Sequence, residues 1–337
     1  MSSTNTQVRL AARPTGLPKA SDWQIVQQPL PVPSEGEFTV AISHLSLDPA
    51  MRGWMNAGAS YIEPVEIGEV MRAGAVGRVS ASQHPGFAVG EYVVGAFGVQ
   101  EHALSDGAGV SKVDPSLAPL PTYLGTLGMT GMTAYFALLD VGKPQAGDTV
   151  VVSGAAGAVG SVAGQIARIK GCRVIGIAGG TEKCSWLTDE LGFDVAIDYK
   201  HQNVAGALRE HVPEGIDVYF DNVGGEILDA ALTRLARSAR IIICGAVSQY
   251  NATEGFKGPA NYMALLVARA SMTGMVVFDY ASQFPQAARE LAGWLSDGSL
   301  ISREDVVDGG VTAFPDALLK LFAGENVGKL VLRVADE

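Results

Sequence analysis

From Thr149 onward, apolar runs alternate with stretches whose apolar positions recur at helical spacing. The valine-rich run Thr149–Ser153 meets the cluster Gly154-Ala-Ala-Gly157-Ala-Val-Gly160, and Val159, Val162, Ile166 and Ile169 then share a helical stripe. Gly171 stops that helix and Arg173–Ala178 reads as the next strand, which completes a strand–turn–helix–strand unit of dinucleotide-binding length. Further strands are predicted over 195–198, 216–221, 239–245 and 272–278, and helices near 158–170, 182–191, 203–211, 226–236, 259–270 and 283–296. Such alternation implies a parallel, doubly wound sheet with right-handed crossovers.

Residues 8–120 have another rhythm. Short runs such as Phe38–Ser43, Gly74–Val79 and Tyr92–Gly95 recur between Gly- and Pro-rich turns, as in a β-barrel or sandwich. Asp48–Met55 reads as a brief helical turn that either lines a cleft or plugs the barrel, with Tyr61 in the loop just beyond. Leu124–Leu139 reads as a helix. In the tail, 305–307 is extended, 314–322 helical and 329–334 a strand, and a last strand after an α/β region most simply returns to the first domain. The expected organisation is a β domain over 1–123, an α/β domain over 124–300, and a return to the β domain over 301–337.

Composition narrows the function. A chain of 337 residues with 47% apolar and 18% charged residues is globular and long enough for two cores. A net charge of −11 without a basic block argues against nucleic acid as the main partner. No apolar run reaches the roughly 18 residues of a membrane span, and the N-terminus lacks the apolar core of a signal peptide. Cys172, Cys184 and Cys244 are odd in number and lack metal spacing, so a reducing cytoplasm is expected and all three read as small buried hydrophobes.

The glycine turn suits a pyrophosphate, because small residues allow close approach and a helix N-terminus offers unpaired N–H groups. An NAD-type fold places an acid about 20 residues on, against the ribose 2′-hydroxyl. Here the second strand ends Ala178-Gly179-Gly180-Thr181 with no carboxylate, and Lys183 follows. A cation without the acid favours a 2′-phosphate, hence NADP(H); the plainer reading of Lys183 is a solvated lysine at a helix start. Tyr199 is placed to pack on the same phosphate. The strand ends at Asp221-Asn222 and Gly245–Asn251 are where a nicotinamide and its ribose would be contacted. Residues 1–120 contain no cysteine, and His44, His84 and His102 lack partners at ligand spacing, so no metal is expected. Without a metal electrophile, hydride addition to a carbon–carbon double bond conjugated to a carbonyl is the less demanding chemistry. Tyr250 is the candidate donor to the enolate oxygen; alternatively it only closes the cofactor pocket.

These motifs together resemble the zinc-free medium-chain dehydrogenase/reductases. They are most similar to the branch of prostaglandin reductases (leukotriene B4 12-hydroxydehydrogenases) and alkenal/one double-bond reductases. The resemblance is carried by Asp48–Met55, Gly128–Tyr135, Gly154–Gly160, Phe220–Gly225, Cys244–Asn251 and Glu325–Lys329. It implies a GroES-like β-barrel domain joined to a Rossmann domain, and NADPH-dependent reduction of α,β-unsaturated ketones or aldehydes. It implies cofactor contacts at Met129, Thr133, Ala155, Ala156, Gly157, Ala158, Val159, Gly179, Lys183, Tyr199, Asn222, Cys244, Gly245, Ala246, Ser248, Tyr250, Met275, Val276, Val277 and Asn326. Met55 and Tyr61 are the expected substrate contacts and Tyr250 the catalytic residue. A homodimer pairing through 272–278 is expected. The tyrosine that some members carry before that strand has Val267 as its counterpart, with Tyr262 earlier. A zinc-free quinone reductase, or a non-catalytic NADPH-binding protein, remains as an alternative.

Overall fold

A computed structural model describes residues 4–58 and 60–335. The chain forms two compact units: residues up to Gly125 together with those from Glu304 onward, and Thr126–Arg303.

The first unit opens with an antiparallel pair, β1 (Thr4–Leu10) and β2 (Trp23–Pro29). Its polar sequence hides β1 from a periodicity reading, yet most of it is buried: Asn5 and Gln7 donate side-chain bonds to Gln100 Oε1. The central strand β3 (Phe38–Ser46) runs past the expected end at Ser43, because the polar His44 and Ser46 are buried as fully as its apolar positions. After α1 (Met51–Trp54) come β4 (Ala75–Ser82), β5 (Tyr92–Gly95), β6 (His102–Ser105) and β7 (Ser111–Val113). β3 pairs antiparallel with β4 and β6, and β5 bridges β4 to β7. Phe38, Ile42, Leu45, Met51, Met71 and Phe314 lie in the core.

The second unit begins with α2 (Met129–Phe136), not at Leu124 as expected. Gly128 is extended, so the helix starts behind it, and Leu124 closes a 3-10 turn. The parallel sheet and its crossovers follow: β8 (Thr149–Ser153), α3 (Ala158–Ile169), β9 (Arg173–Ala178), α4 (Thr181–Ser185), β10 (Val195–Asp198), α5 (Val204–His211), β11 (Ile216–Asp221), α6 (Gly225–Leu232), β12 (Leu235–Ile243), α7 (Ala264–Ala268), β13 (Ser271–Gly274) and α8 (Phe284–Ser296). The strand order is β10-β9-β8-β11-β12-β13, with every neighbour parallel. This is the doubly wound nucleotide-binding order.

Several expected elements are shortened. The helix predicted over 182–191 is α4 followed by a π-helical turn over Trp186–Glu190. The one predicted over 226–236 ends at Leu232, where Thr233 Oγ1 donates back to Ala230 O (2.7 Å), and β12 starts three residues on. The one predicted over 259–270 shrinks to α7, because Asn261 is held to Asp229 by two hydrogen bonds before it, and Arg269 turns left-handed (φ 55°) after it. The strand predicted over 272–278 stops at Gly274, since its partner β12 ends at Ile243. Of the cysteines, Cys172 is buried, whereas Cys184 and Cys244 are half-buried.

The tail adds β14 (Glu304–Val307), α9 (Phe314–Ala323) and β15 (Lys329–Arg333) to the first unit. β15 pairs parallel with β14 and antiparallel with β3. Among the described residues no helix is long and apolar enough to cross a membrane.

Candidate active site

The turn after β8 is built for close approach. Gly154 is left-handed (φ 57°), and Ala155 N–H donates to Ile177 O (3.0 Å), which ties the turn to β9. The Ala155 and Ala156 side chains are buried, so this turn offers backbone rather than side chains. A Cβ on Gly160 would overlap the Gly154 carbonyl oxygen and lie 2.9 Å from Ala155 Cα; only glycine lets α3 pack onto the turn. Gly157 caps α3 without a side-chain bond. The leading amides of this 12-residue helix therefore face the carboxyl edge of the sheet, where Ala158 and Val159 are half-exposed. The cradle fits a pyrophosphate.

At the end of β9 the fit is made by side chains. The Tyr199 ring lies over Gly179, so close that a Cβ there would be 2.8 Å from three ring and hydroxyl atoms. α4 begins beside it and carries Lys183 at its third position. The sequence puts no acid on this strand, but the neighbouring strand supplies one. Asp198 Oδ1 accepts from Gly180 N–H (2.8 Å) and Lys200 N–H (3.0 Å), and Oδ2 faces His201 Nδ1 (2.8 Å). Burial acts to raise the Asp198 carboxyl, but the bonds from Gly180, His201 and Lys200 outweigh it and hold it below the usual carboxylate range.

The loops after β11 and β12 are zipped together. Ser153 Oγ donates to Asp221 Oδ1 (2.7 Å) and accepts from Asn222 N–H (2.8 Å), and Asn222 Nδ2 donates to Ser153 O (2.7 Å). Val223 and Gly224 N–H also donate to the Asp221 carboxylate. Burial pushes this carboxyl above the ordinary range against the pull of those bonds. Asp221 O receives Cys244 N–H (2.9 Å) and Gly245 N–H (3.1 Å), Asn222 O receives Val247 N–H (3.1 Å), and Val223 O receives Ser248 Oγ (2.6 Å). The Tyr250 hydroxyl accepts from Ala246 N–H (3.2 Å) and sits where a Cβ on Gly245 would be 2.9 Å away. That bond uses a lone pair of the hydroxyl and not its proton.

The second unit thus gathers the Gly154 turn, the Gly179–Tyr199 mouth and the Asn222 and Tyr250 loops at the carboxyl edge of one sheet. Met129 is exposed on α2, and Thr133 Oγ1 donates to its carbonyl (2.7 Å). Met275 and Val276 are half-buried and Val277 buried in the bend after β13. The first unit holds the other expected residues. Tyr61 is exposed there, and Asn326 is buried with its Nδ2 donating to Gly328 O (2.9 Å). Met55, expected to contact substrate, is wholly buried in the apolar core, because α1 packs inward; the plug reading of Asp48–Met55 describes it better. Arg52 fixes that helix by donating to Gly16 O and Pro14 O (both 2.9 Å).

Sequence reasoning passed over Ser153 and Asp198 as working residues. Their shared signal is a polar residue closing an apolar strand. It also missed the pair between Lys329 Nζ and Asp48 Oδ1 (2.6 Å), since 281 residues separate the partners. Among the described residues no group of three or more His, Cys, Asp or Glu is arranged to hold a metal.

A doubly wound parallel sheet with a glycine cradle at its carboxyl edge, joined to a β unit interrupted by it in sequence, defines a two-domain dehydrogenase or reductase. The chain belongs to the zinc-free medium-chain dehydrogenase/reductase family. Residues 6–113 match the N-terminal domain of oxidoreductase, and residues 158–293 match the model described as zinc-binding dehydrogenase. The chain is 41% identical to the NADPH-dependent curcumin reductase of Escherichia coli, over 97% of its own length and 96% of that protein. It is 40% identical to the 2-alkenal reductase (NADP(+)-dependent) of Nicotiana tabacum, over 99% and 98%. The crystal structure of CurA from Vibrio vulnificus in complex with NADPH superimposes with a TM-score of 0.93 at 44% identity, covering 98% of this chain and 100% of that one.

Proposed function

We propose that the protein uses NADPH to reduce the carbon–carbon double bond of α,β-unsaturated ketones and aldehydes, with hydride delivered to the β carbon. The observation that carries the reading is the carboxyl edge of the sheet, where the Tyr199–Lys183 mouth, the glycine cradle and the Tyr250 loop stand in the order 2′-phosphate, pyrophosphate, nicotinamide. The similarity to curcumin and 2-alkenal reductases supports it. When bound, the reduced dinucleotide supplies the hydride. The α3 amides hold the pyrophosphate, and Lys183 with Tyr199 holds the 2′-phosphate. The zipped Asn222 and Cys244–Tyr250 loops fix the floor on which the substrate stacks. Tyr250, its oxygen already accepting from Ala246, keeps the orientation to donate to an enolate oxygen and so favours charge development there. A homodimer is part of the proposal: β13 is an edge strand, and Leu266 and Val267 on the adjoining α7 are exposed.

A steady-state screen with NADPH and NADH against enones, enals and quinones tests this. Fast enone and enal turnover with NADPH is expected; fast quinone turnover with inert enones overturns it. Lys183→Ala should narrow the NADPH-over-NADH preference, and Tyr250→Phe should lower turnover with cofactor affinity little changed.

A further inference from the structure

The carboxylate beside the Gly179–Gly180 turn bears on which dinucleotide is taken. We propose that Asp198 and His201 set the strength of the 2′-phosphate preference, with His201 acting through Asp198 as a positioning residue that alters the charge at this end of the site. The inference rests on the NADPH reading above.

Asp198 is part of the turn itself. Its side chain is only 12% exposed, its Oδ1 holds the N–H of Gly180, and Gly180 is the residue from which α4 and Lys183 start. Cys184 N–H closes the same turn by donating to Gly180 O (3.2 Å). On the other side, Tyr199 follows Asp198 in the chain, with its N–H on Ala178 O (3.1 Å) and its ring over Gly179. An anion fixed here opposes a phosphate dianion and does not oppose a ribose hydroxyl.

His201 is the group that offsets this charge. Its Nδ1 is 2.8 Å from Asp198 Oδ2, and its side chain is 71% exposed, open to protons from solvent. Both the neutral ring, protonated at Nδ1, and the imidazolium donate this bond, so the geometry stays while the net charge of the pair changes by one. Nearby in the chain lie the ionisable groups Glu182, Lys183 and Cys184 on α4, Tyr199 and Lys200 on the connecting loop, and Arg209, Glu210 and His211 on α5. Burial, and then the charge of Asp198, push the Cys184 thiol up to about 11, so it stays neutral.

The test is direct binding, by fluorescence titration of the full chain with NADPH, NADH and 2′,5′-ADP at about pH 5.5 and about pH 8. His201→Gln keeps a donor to Asp198 but carries no charge at either pH. Relative to this variant, the wild type should show an NADPH-to-NADH affinity ratio higher by about fivefold at the lower pH, converging at the higher. The titration of the 2′-phosphate itself is common to both proteins and cancels in the comparison. Asp198→Asn, which keeps an acceptor for Gly180 N–H, should raise the ratio at the higher pH. If His201→Gln follows the wild type at both pH values, or weakens NADH as much as NADPH, the inference is overturned while the NADPH reading stands. Failure to bind either dinucleotide overturns that reading and this inference with it.

Discussion

The two units bury polarity in opposite ways. The first encloses side-chain charge. Lys329, 3% exposed, reaches Asp48 and Leu47 O, Ser46 Oγ completes the Asp48 carboxylate, and Arg52 spends its guanidinium on carbonyls. His44 sits neutral in the same unit, pushed down to about 4 by burial and by Arg333. The second unit meets its proposed ligand mainly with main-chain amides and glycines, and the carboxylates near that edge, Asp198 and Asp221, are themselves spent on backbone N–H groups. A barrel needs pairs that close it across long sequence distances. A nucleotide edge needs fixed dipoles that do not compete with an anion.

Breaking the first mode should cost most. Lys329→Met leaves Asp48 shielded and without its cation, and about 4 kcal/mol of stability should go; Asp48→Asn combined with Lys329→Met should recover part of it in chemical denaturation. Gly160→Ala tests the second mode through geometry alone. Its Cβ would strike the Gly154 carbonyl, so about 3 kcal/mol of stability and most NADPH affinity should be lost, and unaltered affinity would show that the turn yields. The His44 effect is pH-dependent. Its folded pKa lies below the unfolded value, so its contribution is complete above about pH 6.5 and is lost as pH falls towards about 4, reaching about 3 kcal/mol. His44→Phe should flatten that part of the stability profile; an unchanged slope would assign acid sensitivity elsewhere. Smallest is Ser153→Ala, which strips one partner each from Asp221 and Asn222, for about 2 kcal/mol and a looser Asn222 loop seen as weaker NADPH binding.

The same contrast explains what the sequence reveals. β8, β9 and β11 are legible to the residue because central parallel strands are mostly apolar and end at glycine or polar tips. The Gly154 cradle is legible because its logic is local. β1 is hidden because its polar side chains are satisfied by a partner far along the chain, Gln100 for Asn5 and Gln7. Asp198 is hidden for a related reason: the sequence shows which strand lacks an acid, but not which neighbour leans one across. Met55 misleads because a thioether-rich helix reads alike whether it faces a ligand or a core.

The Tyr199 ring over Gly179 has a consequence for how cofactor choice can change. The simplest mutational route towards NADH places an acid at the end of β9, and position 179 is where it would go. A Cβ there would lie 2.8 Å from the Tyr199 ring and hydroxyl, so the half-exposed Tyr199 side chain must swing aside to admit one. Removing Tyr199 first would weaken the 2′-phosphate grip before any new ribose contact exists. The two positions are therefore coupled: a new side chain at 179 is admitted only as Tyr199 gives way, so the two changes should be epistatic for cofactor preference.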